Sequence, residues 1–298
     1  MLDYASLSAL AAVVREGSFE RAARALHVTP SAVSQRIRLL EERIGCALVV
    51  RGQPCHATET GRRLCQHVDR VRLLEHELNG EVPALATDGD TRVPLPIAVN
   101  ADSLATWFAP ALAAFAADAP VLMEVSVDDQ DYTSEWLRSG KVLAAVTGTT
   151  RTATGCNSRP LGAMRYLAAA SPAFVERFFA KGVGASGLAR APSLVFNTKD
   201  ELQSRWVRRL CRRHVELPRH TLPSPQAFVA ASLAGMGWGL HPESLIGHHL
   251  ESGALQELVP NTPLDVPLYW QQARAASSLL DGLTRQVHAA AGAALLRR

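Results

Sequence analysis

The sequence predicts an α/β protein with an all-α-type helical unit at its N-terminus and a larger unit of alternating strands and helices behind it. Three observations carry that reading. A helix-turn-helix pattern with a short hairpin after it occupies roughly the first sixty residues. An apolar stripe of coiled-coil spacing follows on one long helix. Beyond Pro94 strand and helix patterns alternate, as in a sheet covered by helices. The length agrees, because 298 residues exceed one core of common size and suggest two or three units.

The N-terminal elements follow from local rules. Asp3 can cap a first helix with Leu7, Leu10 and Val14 on one face, and Gly17 ends it. Ser18 caps a short second helix, Phe19 to Leu26, whose Ala22, Ala23 and Ala25 let another helix approach closely. His27-Val28 makes the turn. Thr29 caps a third helix, Pro30 sits at its first position, where a missing N–H costs nothing, and Gly45 stops it after Ile44. Val33, Ile37 and Leu40 share one face of this helix and should pack on the first two helices. Ser31, Gln35 and Arg38 share the other, with Ser34 beside them. Glutamine pairs bidentately with adenine, arginine with guanine, and serine with either base. A solvated face on an ordinary three-helix unit shows the same pattern, so both readings stand here. Next, Leu48-Val49-Val50-Arg51 reads as a strand, Gly52-Gln53-Pro54 as a loop and His56-Ala57-Thr58 as the return. Such a wing places Arg51 to reach phosphate or the minor groove.

The ordered run Ser18-Phe19-Glu20-Arg21-Ala22-Ala23-Arg24-Ala25-Leu26, Thr29-Pro30-Ser31-Ala32-Val33-Ser34-Gln35-Arg36-Ile37, Leu40-Glu41, Gly45, Leu48, Arg51 and Thr58-Glu59-Thr60-Gly61 resembles the DNA-binding domain of LysR-type transcription regulators. Val49-Val50 departs from the Leu-Phe usual there, a change of packing and not of DNA contact. The resemblance implies a winged helix-turn-helix that binds double-stranded DNA through Ser31, Ser34, Gln35, Arg38 and Arg51. It also implies a homodimer paired through a linker helix, with tetramers left open, and RNA polymerase as a partner. The stripe Leu64, Val68, Val71, Leu74 and Leu78 fits that linker, although a helix packed on its own domain would show it too. Asn79-Gly80 and residues 83–96 read as hinge and linker.

In the second half, strands are expected at Leu95–Val99, Val121–Val127, Val142–Thr147, Tyr166–Ala170 and Ser193–Phe196. Helices are expected at Ser103–Phe115 and Thr133–Arg138, and near Phe174–Phe179, Asp200–Arg212 and Gln226–Ala234. The alternation argues for a mostly parallel sheet, with ligands at the carboxyl ends of its strands. The resemblance implies a two-lobed sensor similar to a periplasmic binding protein, crossed twice by the chain near Leu161–Arg165 and Asp265–Tyr269. The expected organisation is 1–60 DNA-binding, 61–91 linker and hinge, and 92–298 effector-binding. Within the last, lobe I takes about 92–163 and 267–298, and lobe II about 164–266.

Composition excludes other classes. The 47% apolar and 20% charged residues suit a globular chain, and a net charge of +3 leaves room for a local basic patch. The five cysteines never form a C-x-x-C pair, so neither a disulfide framework nor a zinc site is expected, and a reducing cytoplasm fits. The start lacks a signal-peptide pattern, and no apolar run reaches ~18 residues, so no membrane partner is expected. Gly235-Met236-Gly237-Trp238-Gly239 follows a helix pattern, the wrong order for a dinucleotide loop. No catalytic motif is found, and no cofactor, metal or enzymatic activity is expected. A solute-binding protein remains a rival for the second half alone.

Within the LysR-type family the chain resembles the ArgP/LysG group, regulators of basic amino-acid export. The resemblance rests on Phe19-Glu20-Arg21-Ala22-Ala23, Ser31 to Ile37, Asn100-Ala101-Asp102-Ser103-Leu104-Ala105-Thr106-Trp107-Phe108, Asp129-Gln130-Asp131, Leu143 to Thr147, Phe196-Asn197 with Asp200, and Gly235 to Gly239. It implies lysine or arginine as effector and activation of an exporter gene, with another small metabolite as the alternative. Ser103, at a helix start, suits a carboxylate. Asp128, Asp129 and Asp131 follow a strand and suit a cationic end, or else cap the next helix. Thr147 ends a strand, Asp200 can cap its own helix, and Trp238 can line the cleft or sit in the core.

Overall fold

The structure, a computed structural model, describes residues 3–81, 93–118, 121–128, 136–137, 141–274 and 278–297. The chain divides into two compact units, Met1–Pro94 and Leu95–Arg298.

The first unit holds α1 (Tyr4–Glu16), α2 (Phe19–Ala25), α3 (Pro30–Ile44), the two-residue strands β1 (Val49–Val50) and β2 (His56–Ala57), and α4 (Glu59–Glu81). All three caps form as the sequence predicts. Asp3 accepts from the Ala5 and Ser6 N–H groups, Ser18 from Arg21 and Thr29 from Ala32. Each such cap is worth about 1 kcal/mol. Val33, Ile37 and Leu40 are the buried residues of α3 and join Leu7, Leu10, Ala22 and Ala23 in one core. The small alanines of α2 are what allow that approach.

The wing is tied to α3 by a polar clasp. Glu41 accepts from the backbone N–H of Leu48 (2.7 Å) and Val49 (3.3 Å), and the Thr58 hydroxyl donates to the Ala47 carbonyl (2.9 Å). Gly61 is required by this closure, because a Cβ there would lie 2.0 Å from the Leu48 carbonyl oxygen. Val49 is buried and Val50 exposed, so the departure from Leu-Phe touches packing on one side only. The stripe of α4 splits along its length. Leu64 and Val68 pack into the unit's own core, whereas Leu74 and Leu78 stand 51% and 47% exposed.

The second unit is built on a seven-stranded sheet of order β10-β6-β11-β5-β3-β4, with β9 on the other edge of β6. Its strands are β3 (Val93–Asn100), β4 (Val121–Asp128), β5 (Ala144–Thr147), β6 (Cys156–Ala170), β9 (Gly239–Pro242), β10 (Gln256–Glu257) and β11 (Leu264–Ala273). A separate parallel pair joins β7 (Ser193–Val195) to β8 (Arg219–Thr221). The expectation of a mostly parallel sheet is corrected. Only β3 with β5 is parallel among the described pairs of the large sheet, and β6, β9, β10 and β11 pair antiparallel. The long strands β6 and β11 run side by side from Cys156 to Tyr166. Their register slips between Leu268 and Tyr269, opposite Gly162 and Pro160.

After β3 the chain enters α5 (Ala101–Ser103), passes a π turn (Leu104–Phe108) that the sequence did not announce, and continues as α6 (Ala109–Asp118). The helix Ser278–Ala294 packs on this run. The expected helix at Thr133–Arg138 falls largely outside the described residues. Among the described residues, no helix is long and apolar enough to cross a membrane.

Candidate functional site

Two surfaces carry chemistry. The first is the outer face of α3 with the wing. Ser31, Gln35 and Arg38 are exposed and Ser34 half-buried, on the side opposite Val33, Ile37 and Leu40. Arg38 Nε lies 2.8 Å from Glu42 Oε1, but the side chains are 77% and 55% exposed. Such a surface pair is worth little and can be exchanged for a base or phosphate. Arg51 is exposed, and its guanidinium stands over the Phe19 ring at 5.3 Å, which holds it beside the start of α2. Polar and cationic groups thus project from a helix whose other side is locked into a core.

The second surface is a cavity in the larger unit, where β3 and β7 deliver their carboxyl ends. Asp102, two residues beyond β3, lines it together with Phe196 and Asp200, which follow β7, and with Pro225, Phe228 and His241. The Tyr166 hydroxyl, on β6, donates to Asp102 Oδ2 at 2.7 Å. Burial pushes the Asp102 carboxyl up to about 6; the Tyr166 bond lowers it and the charge of Asp200 raises it further. Asp200 is 4% exposed and accepts from the backbone N–H groups of Phe196 (2.9 Å) and Leu202 (3.0 Å). Burial nevertheless holds its carboxyl above the ordinary range. His241 faces the Ser232 hydroxyl at 3.0 Å, and burial lowers its pKa to about 4. The ring is therefore neutral near pH 7. Among the described residues that line the cavity there are two carboxylates and no lysine or arginine. Such an arrangement favours a cation brought from outside.

Other expected residues stand elsewhere. Ser103 is fully buried, and its hydroxyl finds no partner among the described residues. Thr147 is also buried, with Oγ1 3.3 Å from both the N–H and the carbonyl of Thr149. Trp238 is fully buried, with its ring centroid 5.5 Å from that of Trp206, and does not line the cavity. Asp128 ends β4, while Asp129 and Asp131 lie outside the described residues. Sequence reasoning passed over Asp102, Tyr166 and His241. The available signal was Asp102 itself, an acid placed between a strand end and a helix start.

Comparison with known proteins identifies both parts of the chain. Residues 4–62 match the bacterial regulatory helix-turn-helix protein, lysR family, and residues 89–292 match the LysR substrate binding domain. The chain belongs to the LysR family of DNA-binding transcription regulators: an N-terminal winged helix-turn-helix and a two-lobed α/β effector-binding domain, without enzymatic activity. It is 47% identical over 291 residues to the HTH-type transcriptional regulator ArgP of Pseudomonas fluorescens, covering 96% of each chain. It is similar to the crystal structure of ArgP from Mycobacterium tuberculosis, with a TM-score of 0.84 and 43% identity over 100% of both chains. It is also similar to full-length LysG from Corynebacterium glutamicum with bound effector Arg, with a TM-score of 0.72 and 36% identity over 99% of this chain and 100% of that one.

Proposed function

We propose that the effector is lysine or arginine, held by Asp102 and Asp200, and that the chain controls an amino-acid exporter gene in response. The observation that carries this reading is the pair of buried carboxylates in one cavity, with Tyr166 fixing the first and two backbone N–H groups the second. A guanidinium or ammonium between them satisfies charges that are otherwise unfavourable in a desolvated site. The Arg bound to the LysG relative supports the same class of ligand. The α-carboxylate is proposed to lie toward Ser103, and Asp128, Asp129 and Asp131 are the second candidates for the cationic end. Leu74 and Leu78 are proposed to pair with their copies in a homodimer. DNA contact is assigned to Ser31, Ser34, Gln35, Arg38 and Arg51. RNA polymerase is the partner an activator needs, and the cytoplasm is where its DNA is found.

A thermal-shift screen of the purified protein against the common amino acids tests the effector reading. Lysine or arginine should raise the melting temperature in step with the logarithm of concentration over Kd. No shift from either at millimolar concentration, with a shift from an uncharged or acidic amino acid, rejects it.

A further inference from the structure

We propose that the arginine face of the helix Leu202–Cys211, in the sensor unit, docks on the phosphate backbone of duplex DNA. The helix is two-sided. It buries Leu202, Gln203, Trp206 and Val207. On the opposite side Arg205 and Arg208 stand three residues apart and exposed, and Arg212, the left-handed residue that caps the helix, and Arg213 just beyond are exposed too. Residues 201–219 carry six arginines against two glutamates, in a chain whose net charge is only +3. Structural roles account for part of this set. Arg209 donates to the Pro263 carbonyl, and Arg219 donates to the Ser204 hydroxyl at 3.1 Å. Cations in a last helical turn also complement the helix dipole. Neither reason covers Arg205 in mid-helix or Arg213 after the end. Among the described residues, Arg205, Arg208, Arg212 and Arg213 form no ion pair.

The chemistry of the face selects the occupant. A protein partner would need aromatic or aliphatic anchors to desolvate, and the exposed side between Arg205 and Arg212 presents none. Guanidinium groups set along the helix at Arg205 and Arg208 and continued past its end by Arg212 and Arg213 instead match successive phosphates. DNA is already bound by the family's N-terminal domain, so a second contact on the same duplex is intramolecular and adds affinity without having to be strong alone. The inference uses DNA binding and not the effector assignment.

The test is the salt dependence of binding of the full-length protein to a random-sequence duplex of about 60 base pairs, read by fluorescence anisotropy. The variant Arg205→Gln/Arg208→Gln/Arg212→Gln should flatten the slope of log K against log salt by at least about two, since each phosphate contact contributes about 0.9. The single variant Arg208→Gln should flatten it by about one, and the triple lysine variant should restore it. Arg177→Gln/Lys181→Gln/Arg190→Gln removes the same charge from exposed positions elsewhere in the sensor unit and should leave the slope unchanged. A wild-type slope in both Arg208→Gln and the triple glutamine variant overturns the proposal. So does an equal loss in the control triple, which would make the effect one of net charge.

Discussion

At the residue scale, several groups have a charge that is set by their surroundings. The Asp102 carboxyl has its pKa raised to about 6 in the folded protein, from an ordinary value of 3.8. The folded state therefore holds this proton more tightly than the unfolded chain. The ionised group opposes folding above about pH 6, and that opposition fades as pH falls from 6 toward 4. Asp102→Asn keeps an acceptor for the Tyr166 hydroxyl and removes the charge. It should raise the melting temperature at pH 8 while weakening lysine or arginine binding by about 3 kcal/mol, the scale of a broken buried pair. Melting curves and calorimetry of the one variant measure both, and a lower melting temperature at pH 8 contradicts the assignment. On the DNA face, Gln35→Ala should reduce the ratio of specific to random-duplex affinity by about 1–3 kcal/mol. Arg51→Ala should weaken all sequences alike and lower the salt slope by about one. Competition binding at several salt concentrations separates the two.

At the element scale, legibility followed the range of the rules. The three N-terminal helices were readable because Asp3, Ser18 and Thr29 cap them locally, and because alternate faces of α3 carry opposite chemistry. The strands β6 and β11 were only partly readable. Pro160, Gly162 and Pro267 interrupt them, and such residues look like loop signals when the partner strand is unknown. The π turn at Leu104–Phe108 leaves no mark in an apolar run. The stripe on α4 was visible, but the point where it leaves its own core was not, because that depends on tertiary contacts such as that of Tyr4, at the start of α1, with His67. Its exposed end gives a prediction. Leu74→Glu with Leu78→Glu should leave the first unit folded, yield a monomer by light scattering at micromolar concentration and reduce operator affinity. A dimer of unchanged mass places the interface elsewhere.

At the scale of the whole molecule, a reading head is joined to a two-lobed sensor whose cavity draws Asp102, Tyr166, Asp200 and His241 from four distant stretches of chain. No periodic pattern links such residues, which is why the family was legible while most of the pocket, Asp102, Tyr166 and His241, was not. Asp200 was visible as a helix-capping acid, but its partnership with Asp102 exists only in the folded sheet. Two carboxylates brought together in this way are the basis for proposing a cationic amino acid as effector. The direct test is calorimetric titration of the full-length protein with arginine and with lysine between pH 5 and 8, in wild type, Asp102→Asn and Asp200→Asn. The account predicts binding of at least one of the two that is steady above pH 7. Affinity should fall as pH drops through about 6, by up to tenfold per unit for one competing proton. Both variants should lose most of the affinity, and Asp102→Asn should also lose the pH dependence. Wild-type affinity in both variants, or binding that strengthens as the pH falls, would contradict it.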